Sequence, residues 1–336
     1  MMKEVYPGIF SLREKGSFGA IKPPENIYVL AGSNGLIFDA GYGHIWTIKR
    51  LMKEFLMLKQ KYQKQSLPFE ITRVLPSHVH PDHFSGLKLL RKYLGVNIVL
   101  TQKMADIIKH KRSFIAYYES ENPLKEEYQA YSARNLCNAY LRKFFSRIFF
   151  KGIYGLSFIN KPDDIIEEPS IIDINGEEWA LFSSPGHSSD HISLYNKEKG
   201  ILFSGDNILR SITTWLGPPN SDIEQYVESI NTIRNLPHLK LILPAHGSPI
   251  ENPYERIQQI LIHRKERTEQ VLQLIQDHSN KGISSNSIIM SLYPTDGKFK
   301  HGVARGWVSL TLKMLTSQGL ISSRLINNEI RFFPSK

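Results

Sequence analysis

Apolar positions along the chain fall into two rhythms. Short runs at 26–31 and 35–39, and one ending in Val74-Leu75, are apolar almost throughout and read as buried strands. Between them, the stretch from 44 to about 64 carries Ile45, Ile48, Leu51, Phe55 and Leu58 at helical spacing. Residues 84–93 repeat the helical rhythm and 96–100 the strand rhythm, which predicts the β-α-β order of a layered α/β fold.

Two regions depart from that order. Between Leu100 and Asp173, residues 114–158 hold twelve Phe or Tyr, with Leu136, Tyr140, Phe144 and Ile148 four apart and Arg142, Lys143, Arg147 and Lys151 interleaved. This predicts amphipathic helices in an insertion at about 103–161. Three roles fit it: a core-packing stripe, a lid forming an apolar wall over a site, or a surface for a membrane or partner. From about 254 the pattern predicts a long helix at 256–277, a shorter one at 284–292, a third at 303–318 ended by Gly319, and a hairpin at 320–333 turning at Asn327-Asn328.

The chemistry begins where the Val74-Leu75-Pro76-Ser77 strand ends. His78-Val79-His80-Pro81-Asp82-His83 places three imidazoles and a carboxylate in one turn, which is metal-ligand spacing. His78 and His80, two apart, can converge on one ion while Asp82 and His83 face a second. Imidazole and carboxylate together suit zinc, with iron or manganese as alternatives. The same grammar, an apolar run followed by a small residue and then a ligand type, recurs downstream. It appears at Ser184-Pro185-Gly186-His187 after 179–182, at Gly205-Asp206 after 201–204, and at Ala245-His246-Gly247 after 241–243.

These motifs resemble the metallo-β-lactamase superfamily of hydrolases, and lactamase-beta-2-like and glyoxalase II-like proteins in particular. The resemblance covers about 1–255 apart from the insertion, with five motifs in family order, the first being Gly35-Leu36-Ile37-Phe38-Asp39-Ala40-Gly41. It implies an αββα sandwich with two divalent metal ions at one edge. By resemblance, His78, His80 and His187 hold one metal, Asp82, His83 and His246 the other, and Asp206 bridges them. Asp39 then supports the metal loop from outside, and His191 resembles a partner that fixes a ligand or contacts substrate. Asp190 reads as a solvated turn residue, and Cys137 as packing. Two cations would acidify a shared water, and the resulting hydroxide would attack, with Asp82 the catalytic residue that orients it and carries its proton.

Composition narrows the setting. At 336 residues with 41% hydrophobic, the chain can bury a large domain and a smaller one. The division expected is a catalytic domain at 1–255 and a winged-helix-like domain at 256–336, the latter by resemblance of pattern. No signal-like stretch or transmembrane segment is visible, and one cysteine cannot form an internal disulfide, so a cytoplasmic location is expected. The net charge of +10 is uneven, since residues 162–255 hold 5 basic and 15 acidic side chains and every other segment is basic. Anionic partners are favoured without selection among them.

Two functions follow. The first is hydrolysis of an ester, thioester or lactone, with a small-molecule acyl substrate against the aromatic insertion. The alternative is a metal-dependent endoribonuclease of the lactamase-beta-2-like type, with nucleic acid bound through the basic C-terminal domain. That tail could equally brace the catalytic domain or form a homo-oligomer. A pure binding module would predict lost ligands, and a secreted β-lactamase would carry an export signal.

Overall fold

The computed structural model describes residues 2–14, 16, 22–119, 152–211, 213–217, 220–295 and 297–335. Seven strands form the first sheet in chain order: β1 (Lys3–Tyr6), β2 (Ile9–Arg13), β3 (Asn26–Leu30), β4 (Gly35–Phe38), β5 (Ile71–Leu75), β6 (Asn97–Thr101) and β7 (Asp164–Ile166). Five form the second: β8 (Ser170–Ile174), β9 (Glu177–Ser183), β10 (Ile192–Asn196), β11 (Ile201–Gly205) and β12 (Leu241–Pro244), with β12 and β8 at its edges.

The alternation of side chains along each strand decides the layering. Ile201 and Phe203 belong to the core between the sheets, while Leu202 belongs to a separate apolar cluster with Tyr226, Ile230, Ile257 and Ile260. Across the sandwich, the rings of Tyr28 and Phe38 meet Phe203 at 5.0 and 5.2 Å. Helix α1 (Ile45–Lys64) covers the first sheet through Ile48, Leu51 and Leu58, joined by α3 (Leu87–Leu94) through Leu87 and Leu90. Helices α6 (Ile223–Arg234) and α7 (Pro253–Asp277) cover the second. The order is therefore helix, sheet, sheet, helix, the αββα sandwich.

Strand direction brings the motif ends together. β4 and β5 run parallel, as do β11 and β12. β10 is antiparallel to both β9 and β11, so those two share a direction. The segment expected as one helix at 84–93 is instead a single turn, α2 (Pro81–Phe84), followed by α3, with Gly86 between them. A Cβ on Gly86 would lie 2.0 Å from the Ala40 carbonyl oxygen, so the ligand turn can pack against the Asp39 loop only with glycine there.

Within the expected insertion, α4 (Gln102–Ile108) and α5 (Lys111–Glu119) are described, as are residues 152–161. The amphipathic stretch with Leu136, Tyr140, Phe144 and Ile148, and with it Cys137, lies outside the described residues. The C-terminal elements are α8 (Ser285–Leu292), α9 (Lys298–Ser317) and a hairpin of β14 (Ile321–Ile326) and β15 (Glu329–Pro334). Asn327 and Asn328 turn that hairpin with φ of 49° and 61°, the left-handed pair that a two-residue loop requires. Helix α9 begins before the expected 303, and a short strand, β13 (Ile283–Ser284), adds to β15. Helix α7 serves two cores: Ile257 and Ile260 pack in the cluster over the second sheet, Val271 and Ile275 in the C-terminal cluster. Leu310 of α9 also joins the former.

Candidate metal centre

The loops leaving β4, β5, β9, β11 and β12 meet at one edge of the sandwich. Asp39, just past β4, adopts a left-handed φ of 64° and its Oδ1 accepts the Ser77 N–H at 2.7 Å, which fixes where the histidine turn starts. Pro81 opens α2 with a φ suited to a first helical residue, and this turn sets Asp82 and His83 beside each other. From the second sheet, Asp190 Oδ2 accepts the Val79 N–H at 2.8 Å and holds the middle of the turn.

All seven residues expected as ligands are brought together. His78, His80 and His187 offer nitrogens within 4.8 Å of one another, and so do Asp82, His83 and His246 with their own ligand atoms. His187 Nε2 lies 3.0 Å from His80 Nδ1. Asp206 stands between the sets, with Oδ2 at 3.4 Å from His187 Nε2 and 3.7 Å from His83 Nε2, and Oδ1 at 3.3 Å from His246 Nε2. Asp82 closes the second set, 3.6 Å from His246 Nε2 and 3.8 Å from His83 Nε2.

The remote nitrogens are anchored. His187 Nδ1 donates to the Trp215 carbonyl at 2.9 Å and His246 Nδ1 to that of Pro24 at 2.7 Å. His83 Nδ1 faces Asp39 Oδ1 at 3.3 Å and Glu25 Oε1 at 3.4 Å. These contacts select the tautomer that aims a lone pair inward. His78 Nε2 and His83 Nε2 are buried and have no hydrogen-bond partner among the described residues. Buried polar atoms left open on converging rings, with two carboxylates among them, are what divalent cations would satisfy. The residues present fit the implied metals.

Electrostatics divides the metal-free site into two halves. Burial, reinforced by neighbouring imidazoles, holds His78 and His80 well below the ordinary imidazole range, and burial also lowers His187. Burial opposes the charge on His246 too, but Asp206 and then Asp82 outweigh it and push this group up to about 9. His83 is likewise raised, with Asp39, Asp82, Glu25 and Asp206 overcoming its burial. Asp206 is itself held low because His246 and His83 overcome the penalty of burial.

His191 does not touch the ligand atoms directly. Its Nε2 accepts the Asp206 backbone N–H at 3.1 Å, and its Nδ1 faces Ser184 Oγ at 2.9 Å. Burial and the nearby His187 depress it to about 3, so it stays neutral with Nε2 free to accept. Gly205 makes this possible, since a Cβ there would sit 2.4 Å from His191 Nε2.

His80 and Asp82 are the partly exposed members and mark the open side. One described end of the 103–161 segment reaches this rim, and the other packs on the chain at Tyr42 and His44. The Tyr118 ring lies 6.3 Å from that of His80, Tyr154 packs on Tyr42 at 5.7 Å, and His44 Nε2 bonds the Ile153 carbonyl at 2.8 Å.

Two residues differ from their sequence reading. Asp190, read as a solvated turn residue, is buried. Besides Val79 it takes hydrogen bonds from Tyr117 Oη at 3.1 Å and from Ser188 Oγ. The reason is that the 187–191 loop folds inward under α5 rather than into solvent. The sequence pattern does not single out Glu25, because an acid after Pro23-Pro24 and before an apolar strand looks like a surface turn. It is fully buried behind His83.

A family model described as the metallo-beta-lactamase superfamily matches residues 22–246. The chain is 29% identical over 150 residues to a beta-lactamase-like protein 2 homolog of Caenorhabditis elegans, covering 45% of this chain and 48% of the relative. It is 30% identical over 112 residues to an atrochrysone carboxyl ACP thioesterase of Aspergillus fumigatus, covering 33% of this chain and 34% of that protein. Each match thus spans less than half of the relative's length. Among solved structures, a beta-lactamase domain protein from Burkholderia ambifaria aligns with a TM-score of 0.75 at 19% identity, covering 99% of this chain and 93% of that one, a likeness of fold. With the family model matched over most of the chain and the sandwich and ligand edge in place, the chain belongs to the metallo-beta-lactamase superfamily.

Proposed function

We propose that this chain is a dinuclear metal-dependent hydrolase of an ester, thioester or lactone carbonyl. His78, His80 and His187 hold one divalent cation, Asp82, His83 and His246 the other, and Asp206 is shared. The observation that carries this reading is the position of Asp206, whose two oxygens face His187 and His246 at 3.4 and 3.3 Å. Zinc suits the nitrogen-rich set, with iron or manganese as alternatives. When bound, the cations supply Lewis acidity and lower the pKa of water toward neutrality.

The side chains do the rest. Asp82, at the open rim, orients the attacking water through its carboxylate and passes the proton to the leaving group. Asp206 is held through its backbone by His191, and the His78–His83 turn by Asp39 and Asp190, so the ligand atoms keep their spacing without substrate. Tyr118, whose ring lies 6.3 Å from that of His80, gives the rim an aromatic face there, which suits an acyl chain or ring. The likeness to an acyl-carrier thioesterase supports the same substrate class. Residues 256–336 act as a brace on the catalytic domain at 1–255, an arrangement supported by Leu310 packing and by Gln318 Nε2 donating to Glu224 Oε1 at 2.8 Å.

The test is a side-by-side assay of metal-loaded protein on acyl-thioesters, lactones and single-stranded RNA. Acyl hydrolysis that falls by orders of magnitude in Asp82→Ala is the result predicted. RNA cleavage lost in that variant, with no acyl hydrolysis in the parent protein, would replace this reading by the endoribonuclease one.

A further inference from the structure

The segment Pro24-Glu25-Asn26, at the start of β3, touches both histidines of the second set. The Pro24 carbonyl accepts from His246 Nδ1 at 2.7 Å, and Glu25 Oε1 lies 3.4 Å from His83 Nδ1. Asn26 ties the segment to the strand end that carries His246. Its backbone N–H donates to the Ala245 carbonyl at 2.7 Å, and its Nδ2 donates to those of Pro244 and Gly247 at 2.9 and 2.8 Å. The first set is backed differently, with His78 Nδ1 facing Ser77 Oγ and His187 Nδ1 facing the Trp215 carbonyl, both neutral oxygens.

Glu25 is the unusual member of this segment. It is 0% exposed, and neither carboxylate oxygen has a hydrogen-bond partner among the described residues. At 3.4 Å its contact with His83 is an ion-pair distance short of an aligned hydrogen bond. A buried carboxylate is costly unless something nearby compensates it. The cationic or N–H group it faces is His83 Nδ1. Asp39 Oδ1 already takes the Ser77 N–H at 2.7 Å, so it is divided between the turn and His83, whereas Glu25 has no competing engagement.

We propose that Glu25 is a positioning residue for the second cation: together with Asp39 it keeps the proton of His83 on Nδ1 and aims Nε2 at the ion. The inference rests on the two-cation reading above. Removing a carboxylate behind a ligating histidine weakens metal binding by about 10- to 100-fold. The loss here falls on the second cation, because nothing in the first set contacts Glu25.

The experiment is a calorimetric titration of metal-free protein with zinc, run on the parent chain, E25A and the near-isosteric E25Q, with cobalt substitution and visible spectra in parallel. The parent takes up two cations in resolvable steps. In E25A one step loses about 10- to 100-fold in affinity and the other is unchanged. E25Q, which keeps an acceptor oxygen in nearly the same shape, loses less than E25A and carries the test should E25A fail to fold. The cobalt spectra of parent and variants coincide for one bound equivalent and differ for the other. Unchanged affinities in both variants, or equal losses at both steps, would overturn the role given to Glu25. Uptake of a single cation by the parent would overturn the two-cation reading itself.

Discussion

His191 Nε2 accepts the backbone N–H of Asp206 at 3.1 Å, in a space that Gly205 leaves open. The carboxylate that stands between the two candidate ligand sets is thus set from behind by a neutral histidine. Replacing it should loosen Asp206 without removing a ligand. His191→Ala is predicted to lower affinity for both cations by about 10- to 100-fold, read by metal titration. Unchanged affinity would show that the Asp206 loop holds itself.

Asp190 is the second such support. Its carboxylate serves Val79 N–H, Tyr117 Oη and Ser188 Oγ together, so Asp190→Ala takes the acceptor from a buried backbone donor and one partner from each of two hydroxyls. A loss of about 2 to 4 kcal/mol of stability is predicted in denaturant unfolding. A variant as stable as the parent would return Asp190 to the role of a solvated turn residue.

The metal-free site has a defined pH response. His246 is raised from 6.5 to about 9 against its burial by Asp206 and Asp82. A raised histidine contributes stability that is fully present below the unfolded value of 6.5 and is lost as pH rises through about 9, here on the order of 3 kcal/mol. The lowered His78, His80 and His187 act in the opposite sense, their contribution being lost as pH falls below 6.5. The share of His246 is isolated by comparing metal-free parent and His246→Gln melting temperatures between pH 6 and 10. The gap should narrow toward high pH, and a constant gap would contradict the pairing.

Metal uptake must expel the same protons. At pH 7.5, zinc binding measured in buffers of different ionisation enthalpy should release protons from His246 and His83, and the His246 share should vanish above about 9. Proton-neutral uptake at pH 7.5 would contradict protonated histidines in the second set.

Much of this was legible in the chain itself, for physical reasons. His78 to His83 lie in one turn, so their ligand chemistry is local, and the apolar runs before His187, Asp206 and His246 announce strands whose ends share an edge. The position of Asp206 between the two sets is not local. It depends on β11 lying beside β12 and on the two sheets facing each other, and spacings along one chain reach it only through family likeness. Glu25 and Asp190 were illegible because an acid in a turn looks solvated until another element covers it, here the His83 ring and α5. Strand β13 is too short to carry a period, and its pairing with β15 is tertiary.

Anomalous diffraction from crystals of the metal-loaded protein tests the central claim most directly. Two peaks are predicted, one among His78, His80 and His187 and one among Asp82, His83 and His246, with Asp206 reaching both. A single peak, or one lodged among Glu25, Asp39 and His83, where ligand atoms also converge within 4.8 Å, would contradict it.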